Sequence, residues 1–218
     1  MPNIRLTTFR WVPTVAQGLV KDLRVRWALE EAGLAYQEKL LNVGEHGSAA
    51  HRALQPFGQV PVYEEDGLTL FESGAIVMHL GQRCATLLPN DPARRARAIT
   101  WMFAALNSLE PAVQNLASID LFFANEEWAR LRRADAEKHA QSRLDGVAAA
   151  LARRDYLEGE FTGGDLLMVT VLRILRHTDL VKNMPVLASY VARCEARPAF
   201  QRALECQLAP FEKYAPAA

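Results

Sequence analysis

Hydrophobic and polar residues alternate in short runs along the first eighty residues, and each run predicts a β-strand. Between the first two runs, apolar residues recur with helical spacing until Gly33, which is the expected stop of that helix. Asp22 precedes the helix and is its expected N-cap. Asp66 and Gly67 lie between the last two runs, where they favour a tight hairpin turn. The predicted strands are residues 4–9, 36–43, 60–63 and 68–71, and the predicted helix is residues 23–32.

In the remainder of the chain the apolar spacing is helical throughout. Asp91 and Pro92 are an N-cap and first-turn signal for a long helix. Thr162 and Asp165 form a variant of the capping box, and the helix that they open is apolar nearly all round. We expect this helix to be the buried centre of the helical part. Two of the helices predicted here are residues 134–152 and 166–175.

The change of pattern divides the chain into two domains. A stretch rich in proline, asparagine and aspartate separates the two patterns and is typical of a linker. We therefore expect an α/β domain at residues 1–83, a linker at 84–92 and an all-helical domain at 93–218. At 218 residues the chain is long enough to bury a substantial core.

Composition narrows the classes of function. The 25 basic and 25 acidic residues balance, so no net field favours nucleic acid or an anionic membrane. The three cysteines, Cys84, Cys194 and Cys206, have no metal-ligand or CxxC spacing, and an odd number is unsuited to a disulfide framework. No signal-peptide pattern or membrane-length apolar run is present. These features predict a cytoplasmic protein that binds neither membrane nor nucleic acid.

The most informative stretch of the chain surrounds the predicted hairpin. Pro61 lies inside a predicted strand, where proline donates nothing to the sheet and belongs at an edge or bulge. If the bond before it is cis, the backbone of Val60 is left open to an added peptide strand. Ser73 follows the hairpin at the expected N-cap of a helix, where the free N–H groups favour an anion. An ordinary hairpin leading into a capped helix explains the same residues.

The run from Pro56 to Pro61, followed by a hairpin and by Glu72-Ser73, resembles the glutathione-binding half of the glutathione transferases, bacterial type. The resemblance implies a thioredoxin-like N-terminal domain and an all-helical C-terminal domain that carries the electrophile pocket. It implies that the backbone of Val60 pairs with the cysteinyl part of glutathione, while Glu72 and Ser73 hold the γ-glutamyl end. The glutathione-binding residues implied are Gln59, Val60, Pro61, Glu72 and Ser73.

The group that stabilises the glutathione thiolate is less evident. The family uses a tyrosine, serine or cysteine near the end of the first strand, yet residues 1–35 contain none of these. Thr14 offers a hydroxyl in the corresponding loop and is the predicted catalytic residue. Arg10, Trp11 and Gln17 are alternatives, as are backbone N–H groups near Gly18.

Other polar residues have two interpretations each. His51 or Arg52 holds the glycyl carboxylate of glutathione, or belongs to a solvated loop. Asn107 and Glu110 line the electrophile pocket, or belong to a subunit contact.

The resemblance as a whole predicts a homodimeric detoxification enzyme that uses glutathione as co-substrate, without metal or nucleotide, and conjugates its thiolate to a small electrophile. The alternative is a glutathione-binding protein of the same fold with little or no turnover. Thiol–disulfide or peroxide chemistry is a third hypothesis, but it normally requires a cysteine near the first helix.

Overall fold

The computed structural model describes residues 3–42 and 44–216. By its internal contacts the chain forms two compact units, Met1–Leu87 together with Arg197–Ala218, and Leu88–Ala196. The strands are β1 (Ile4–Phe9), β2 (Gln37–Leu41), β3 (Val62–Glu65) and β4 (Leu68–Leu70). The helices are α1 (Asp22–Ala32), α2 (Ala49–Arg52), α3 (Ser73–Gly81), α4 (Pro92–Phe103), α5 (Glu110–Phe122), α6 (Glu127–Leu151), α7 (Gly163–Leu172), α8 (Pro185–Glu195) and α9 (Pro198–Lys213).

The first unit is built on a four-stranded sheet of order β2-β1-β3-β4. β1 pairs in parallel with β2 and antiparallel with β3, and β3 pairs antiparallel with β4. Asp66 and Gly67 join β3 to β4 with φ angles of 46° and 86°, as the predicted hairpin turn requires. The predicted strand at residues 36–43 is shorter in the structure, and its Val43 lies outside the described residues.

Most of the side chains of helix α1 are buried within the first unit. The prediction that Asp22 caps α1 is wrong, because Asp22 is the first helical residue and the N-cap position is occupied by Lys21. The Asp22 carboxylate is fully buried, where it accepts hydrogen bonds from Arg26 Nε at 2.7 Å and from Gln207 Nε2 at 2.6 Å. A distant partner therefore determines the role of Asp22, and local capping chemistry does not.

Helix α9 packs on α1 within the first unit. The rings of Trp27 and Phe200 meet edge to face with centroids 4.8 Å apart. Arg197 makes two hydrogen bonds of 2.7 Å to the carboxylate of Glu31. Although α9 lies at the end of the predicted helical domain, its buried contacts are with α1 of the α/β unit.

The second unit is helical and is centred on α7, in which every residue is buried. The predicted capping box is confirmed, since the Asp165 carboxylate accepts the Thr162 backbone N–H at 2.8 Å. Asp165 also accepts hydrogen bonds from the Leu157 N–H and the Tyr190 hydroxyl, which tie the start of α7 to two other segments. Burial raises the pKa of Asp165, while these hydrogen bonds favour its ionised form.

Two helices of the second unit have boundaries that differ from the predictions, since α7 is Gly163–Leu172 where residues 166–175 were predicted, and α6 begins early. Asp91 caps α4 as predicted, by accepting the Arg94 N–H at 2.8 Å. Between α4 and α5 the helix continues as a π-helical stretch, Ala104–Leu109. Helix α6 begins seven residues before the predicted start at 134, because its first two turns are largely exposed and charged and so lack an apolar period. The predicted fold class, an α/β domain followed by an all-helical one, is confirmed by the sheet and helices of the first unit and the helices of the second. No described helix is long and apolar enough to span a bilayer.

Candidate functional site

The loop before β3 is held by a buried glutamine that the sequence did not single out. Gln55 Oε1 accepts the backbone N–H of Phe57 at 2.7 Å and that of Gln59 at 3.2 Å. Gly58 lies between them with a φ of 66°, and a Cβ there would approach the backbone oxygen of His46 to 2.9 Å. The loop can therefore take this course only with glycine at position 58.

Val60 follows this loop with its side chain buried and its backbone open. The Val60–Pro61 peptide bond is cis. Among residues 3–42 and 44–216, neither the N–H nor the C=O of Val60 has a hydrogen-bond partner. These two groups lie just before β3, which begins at Val62, and are free to pair with the backbone of an extended peptide.

The start of α3 differs from its predicted form. Ser73 is the first helical residue and not the N-cap, because the N-cap position belongs to Glu72, whose side chain makes no capping bond. Glu72 has a φ of 65°, a conformation that non-glycine residues rarely adopt and that is concentrated at functional sites. Its side chain is exposed.

A buried arginine donates a hydrogen bond to the side chain of Ser73. Arg24, in α1, is 3% exposed, and its Nη1 donates a hydrogen bond of 3.2 Å to Ser73 Oγ. Because the hydroxyl oxygen accepts this bond, its own hydrogen stays available to an anion. The unpaired N–H groups of the first turn of α3 add positive potential at the same helix end. No local pattern in the sequence points to Arg24, since its partner lies 49 residues away.

Comparison with known proteins identifies the family. The model of the glutathione S-transferase N-terminal domain matches residues 17–82. A glutathione S-transferase of Hyoscyamus muticus is 30% identical over 198 residues, which cover 84% of this chain and 92% of the relative. Glutathione S-transferase 4 of Zea mays is 30% identical over 209 residues, which cover 91% and 90%. The chain belongs to the glutathione S-transferase family.

Solved structures agree with this membership. A theta class glutathione S-transferase from Xanthomonas axonopodis pv. citri, with glutathione bound, has a TM-score of 0.77 and 28% identity. The match covers 94% of this chain and 98% of that one. A glutathione transferase from Burkholderia graminis, with two glutathione molecules per subunit, has a TM-score of 0.81 and 25% identity over 93% and 88% of the two chains. The thioredoxin-like and helical parts of the fold are therefore those of the family.

The loop that should carry the catalytic group of this transferase follows β1. Thr14 is exposed and begins a short 3-10 turn, Thr14–Ala16. Among the alternatives, Gln17 Nε2 donates to the Val12 carbonyl at 3.1 Å, and the Arg10 guanidinium lies 4.9 Å from the ring centre of Tyr214. Trp11 is half-buried. The catalytic role of Thr14 stays a prediction.

His51 and Arg52 of the transferase are both bound within the loop before β3. His51 is 3% exposed, and its Nε2 lies 2.8 Å from the Gln59 carbonyl oxygen, so it is not a solvated residue. Arg52 is exposed, and its Nη1 donates to the Pro56 carbonyl at 3.2 Å.

The two residues considered for the electrophile pocket lie in the second unit. Asn107 is exposed in the π-helical stretch, whereas Glu110, at the start of α5, is buried. The described residues contain no cluster of three or more potential metal ligands.

Proposed function

We propose that this glutathione transferase holds its co-substrate at Gln59, Val60, Pro61, Glu72 and Ser73. The N–H and C=O of Val60 would pair with the cysteinyl backbone of glutathione. Glu72 would bind the α-ammonium group, and Ser73 with the first turn of α3 would bind the α-carboxylate. The observation that carries the proposal is the open backbone of Val60, whose two polar groups have no partner in the described chain.

The reaction proposed at this site is conjugation. The thiol of glutathione gives its proton to water, and the sulfur then forms a bond to an electrophilic carbon. In a substitution the leaving group departs with its bonding electron pair, and in an addition the π electron pair moves away from that carbon along the acceptor, which takes up a proton from water. The protein accelerates this step by favouring the thiolate, which is the nucleophilic form. We propose Thr14 as the hydroxyl that donates a hydrogen bond to the sulfur. If Thr14→Ala leaves turnover unchanged, that role is excluded.

The same family membership supports the remaining features of the proposed function. We propose a small electrophile as second substrate, with Asn107 and Glu110 of the helical unit among the residues that line its pocket. We also propose a homodimer, a role in detoxification and a cytoplasmic location. Sedimentation at micromolar concentration tests the assembly, since a mass of one chain would contradict the dimer.

Calorimetric titration of glutathione tests the site directly. Ser73→Ala removes the hydroxyl donor to a charged carboxylate, so the dissociation constant should rise about 10- to 100-fold. Glu72→Ala should have a similar effect through the ammonium group. Ser142→Ala makes the same change on the exposed face of α6, in the other unit, and should bind as the wild type does. Equal affinity of the Ser73 and Ser142 variants would refute the proposed site.

The second candidate function is glutathione binding with little turnover. It is favoured by the absence of tyrosine, serine and cysteine from residues 1–35. Mixing the protein with glutathione and a chromogenic aryl halide separates the two candidates. Binding without turnover above the uncatalysed rate would favour the binding protein, and turnover would favour the transferase.

A further inference from the structure

The histidine in α2 lies directly behind the peptide unit proposed to receive glutathione. His51 Nε2 is 2.8 Å from the carbonyl oxygen of Gln59. That carbonyl and the N–H of Val60 belong to the same peptide unit, which is not among the cis bonds. In a planar trans unit the two groups point in opposite directions. His51 therefore holds one end of the unit while the other end stays open.

His51 is itself held firmly. Its backbone N–H is accepted by Ser48 Oγ at 3.2 Å, and its C=O accepts the N–H groups of Leu54 and Gln55 at 2.9 Å each. The backbone N–H of Gln59 is bound by Gln55 Oε1. Both backbone polar groups of Gln59 are thus fixed by buried side chains that start from the same short helix and the turn after it.

We infer that His51 is a positioning residue for glutathione, acting through the peptide unit that joins Gln59 to Val60. The inference rests on the proposed glutathione site. A carbonyl oxygen only accepts, so the contact requires the tautomer that carries hydrogen on Nε2. Donation to the carbonyl polarises the peptide unit and makes the Val60 N–H a stronger donor. It also fixes the direction of that N–H before the ligand arrives, which lowers the ordering cost of binding.

Two other roles for His51 make different predictions. A direct contact with the glycyl carboxylate does not fit, because Nε2 is engaged with the Gln59 carbonyl, while Nδ1 is buried and in this tautomer carries no hydrogen to donate. If His51 served folding alone, replacing it would lower the stability of the protein and weaken the binding of both substrates. If His51 is a positioning residue, replacing it weakens the binding of glutathione and leaves the binding of the electrophile unchanged.

Three variants separate these roles. His51→Phe cannot donate to the carbonyl, so the KM and dissociation constant for glutathione should rise about 5- to 10-fold, with the KM for the aryl halide unchanged. His51→Gln keeps an N–H donor and should recover most of the affinity. His139→Phe makes the matched change on the exposed face of α6 and should leave every constant unchanged. Unaltered glutathione affinity in His51→Phe, or an equal rise in both KM values, would overturn the inference.

Nuclear magnetic resonance of the unmutated protein gives an independent test that needs no variant to fold. As glutathione is added, the Val60 amide and the His51 Nε2–H proton should shift along the same titration curve, because one peptide unit links them. A change in the chemical shift of the Val60 amide without a change in the His51 signal would overturn the inference but would remain consistent with the proposed site. A constant Val60 amide in the presence of bound glutathione would refute the proposed site, and the inference with it.

Discussion

Gly58 and Gly33 have nearly the same backbone conformation, with φ angles of 66° and 64°, in very different surroundings. A Cβ on Gly33 would meet nothing within 4 Å, whereas one on Gly58 would lie 2.9 Å from the His46 carbonyl oxygen. The left-handed conformation is thus costly for other residues at both positions, and steric exclusion adds to that cost only at Gly58.

The pair gives a prediction at the scale of the residue. Gly33→Ala should lower the free energy of unfolding by about 1–2 kcal/mol, the cost of the backbone conformation. Gly58→Ala should cost more, about 2–4 kcal/mol, and should also weaken glutathione binding, because the loop that positions Val60 must shift. Urea unfolding and calorimetry measure the two effects. Equal destabilisation by both substitutions would show that the loop relaxes around the added methyl group.

Gln55 allows a second residue-scale prediction. Gln55→Leu leaves the N–H groups of Phe57 and Gln59 without their acceptor and should lower stability by about 1–3 kcal/mol. Gln55→Glu keeps an acceptor oxygen of similar shape and should lose less. If urea unfolding finds the two variants equally unstable, the side-chain oxygen is not what holds this loop.

At the scale of the element, the contact between α1 and α9 includes one fully buried carboxylate, that of Asp22. Asp22 pairs with Arg26, which is 1% exposed and also contacts Tyr36 and Glu38. Burial alone would lower the pKa of Arg26, but the neighbouring acidic and phenolic groups raise it above its ordinary value. Burial raises the pKa of Tyr36 to about 12. The guanidinium therefore stays charged and needs its partner.

Removing that partner should be costly. Asp22→Ala takes the fully buried carboxylate from Arg26, which keeps only the partly exposed Glu38 as an ion-pair partner, and it removes the acceptor for Gln207. We therefore expect a loss of about 2–3 kcal/mol in urea unfolding. Glu30→Ala is the matched control, because Glu30 also joins α1 to α9, through Arg202 at 2.7 Å on the surface. Its loss should be about 0–1 kcal/mol. Similar losses from the two variants would contradict the importance of burial.

The ion pair between Glu65 of β3 and Arg83, which follows α3, should make the stability of the protein depend on pH. Hydrogen bonds from Arg83, with a further one from Tyr63, lower the pKa of Glu65 to about 2. Since the folded pKa lies below the unfolded value, the ionised carboxylate stabilises the fold above about pH 5, and this contribution is lost as the pH falls toward 2. Its size is about 1–3 kcal/mol, the lower figure allowing for solvent screening of the partly exposed Arg83.

Arg83→Met removes the donor to Glu65 and keeps an apolar side chain of similar length. The free energy of unfolding should therefore fall less between pH 5 and pH 2 in the variant than in the wild type. Urea unfolding of both proteins between pH 5 and pH 2 measures the difference. Parallel curves for wild type and variant would exclude Glu65 as the titrating group, since Glu65 is the carboxyl group whose pKa Arg83 lowers.

At the scale of the whole molecule, the first unit contains two segments that lie at opposite ends of the chain. Phe200 of α9 packs on Trp27 of α1, so Phe200→Ala should open a cavity and cost about 3–5 kcal/mol. Hydrogen exchange should then accelerate in α1 and β1 far more than in α7, which lies in the other unit. Equal acceleration in α1 and α7 would show that the chain unfolds as a single cooperative block.

The sequence by itself determined the features that depend on neighbouring residues. The hairpin at Asp66 and Gly67 and the capping box of Thr162 and Asp165 need only a few residues to form, so their chemistry is legible in the chain. The element order and the family followed from such local signals together with the motif that ends at Pro61.

Only the tertiary structure decided which distant groups meet. Asp22 finds Gln207 rather than capping α1, Arg24 reaches Ser73, and α9 joins the α/β unit. A buried polar group must be paired with whatever partner the fold brings to it, because an unpaired one costs as much as a lost hydrogen bond. Such pairings span many residues and leave no local period in the sequence, which is why periodicity and capping rules did not reveal them.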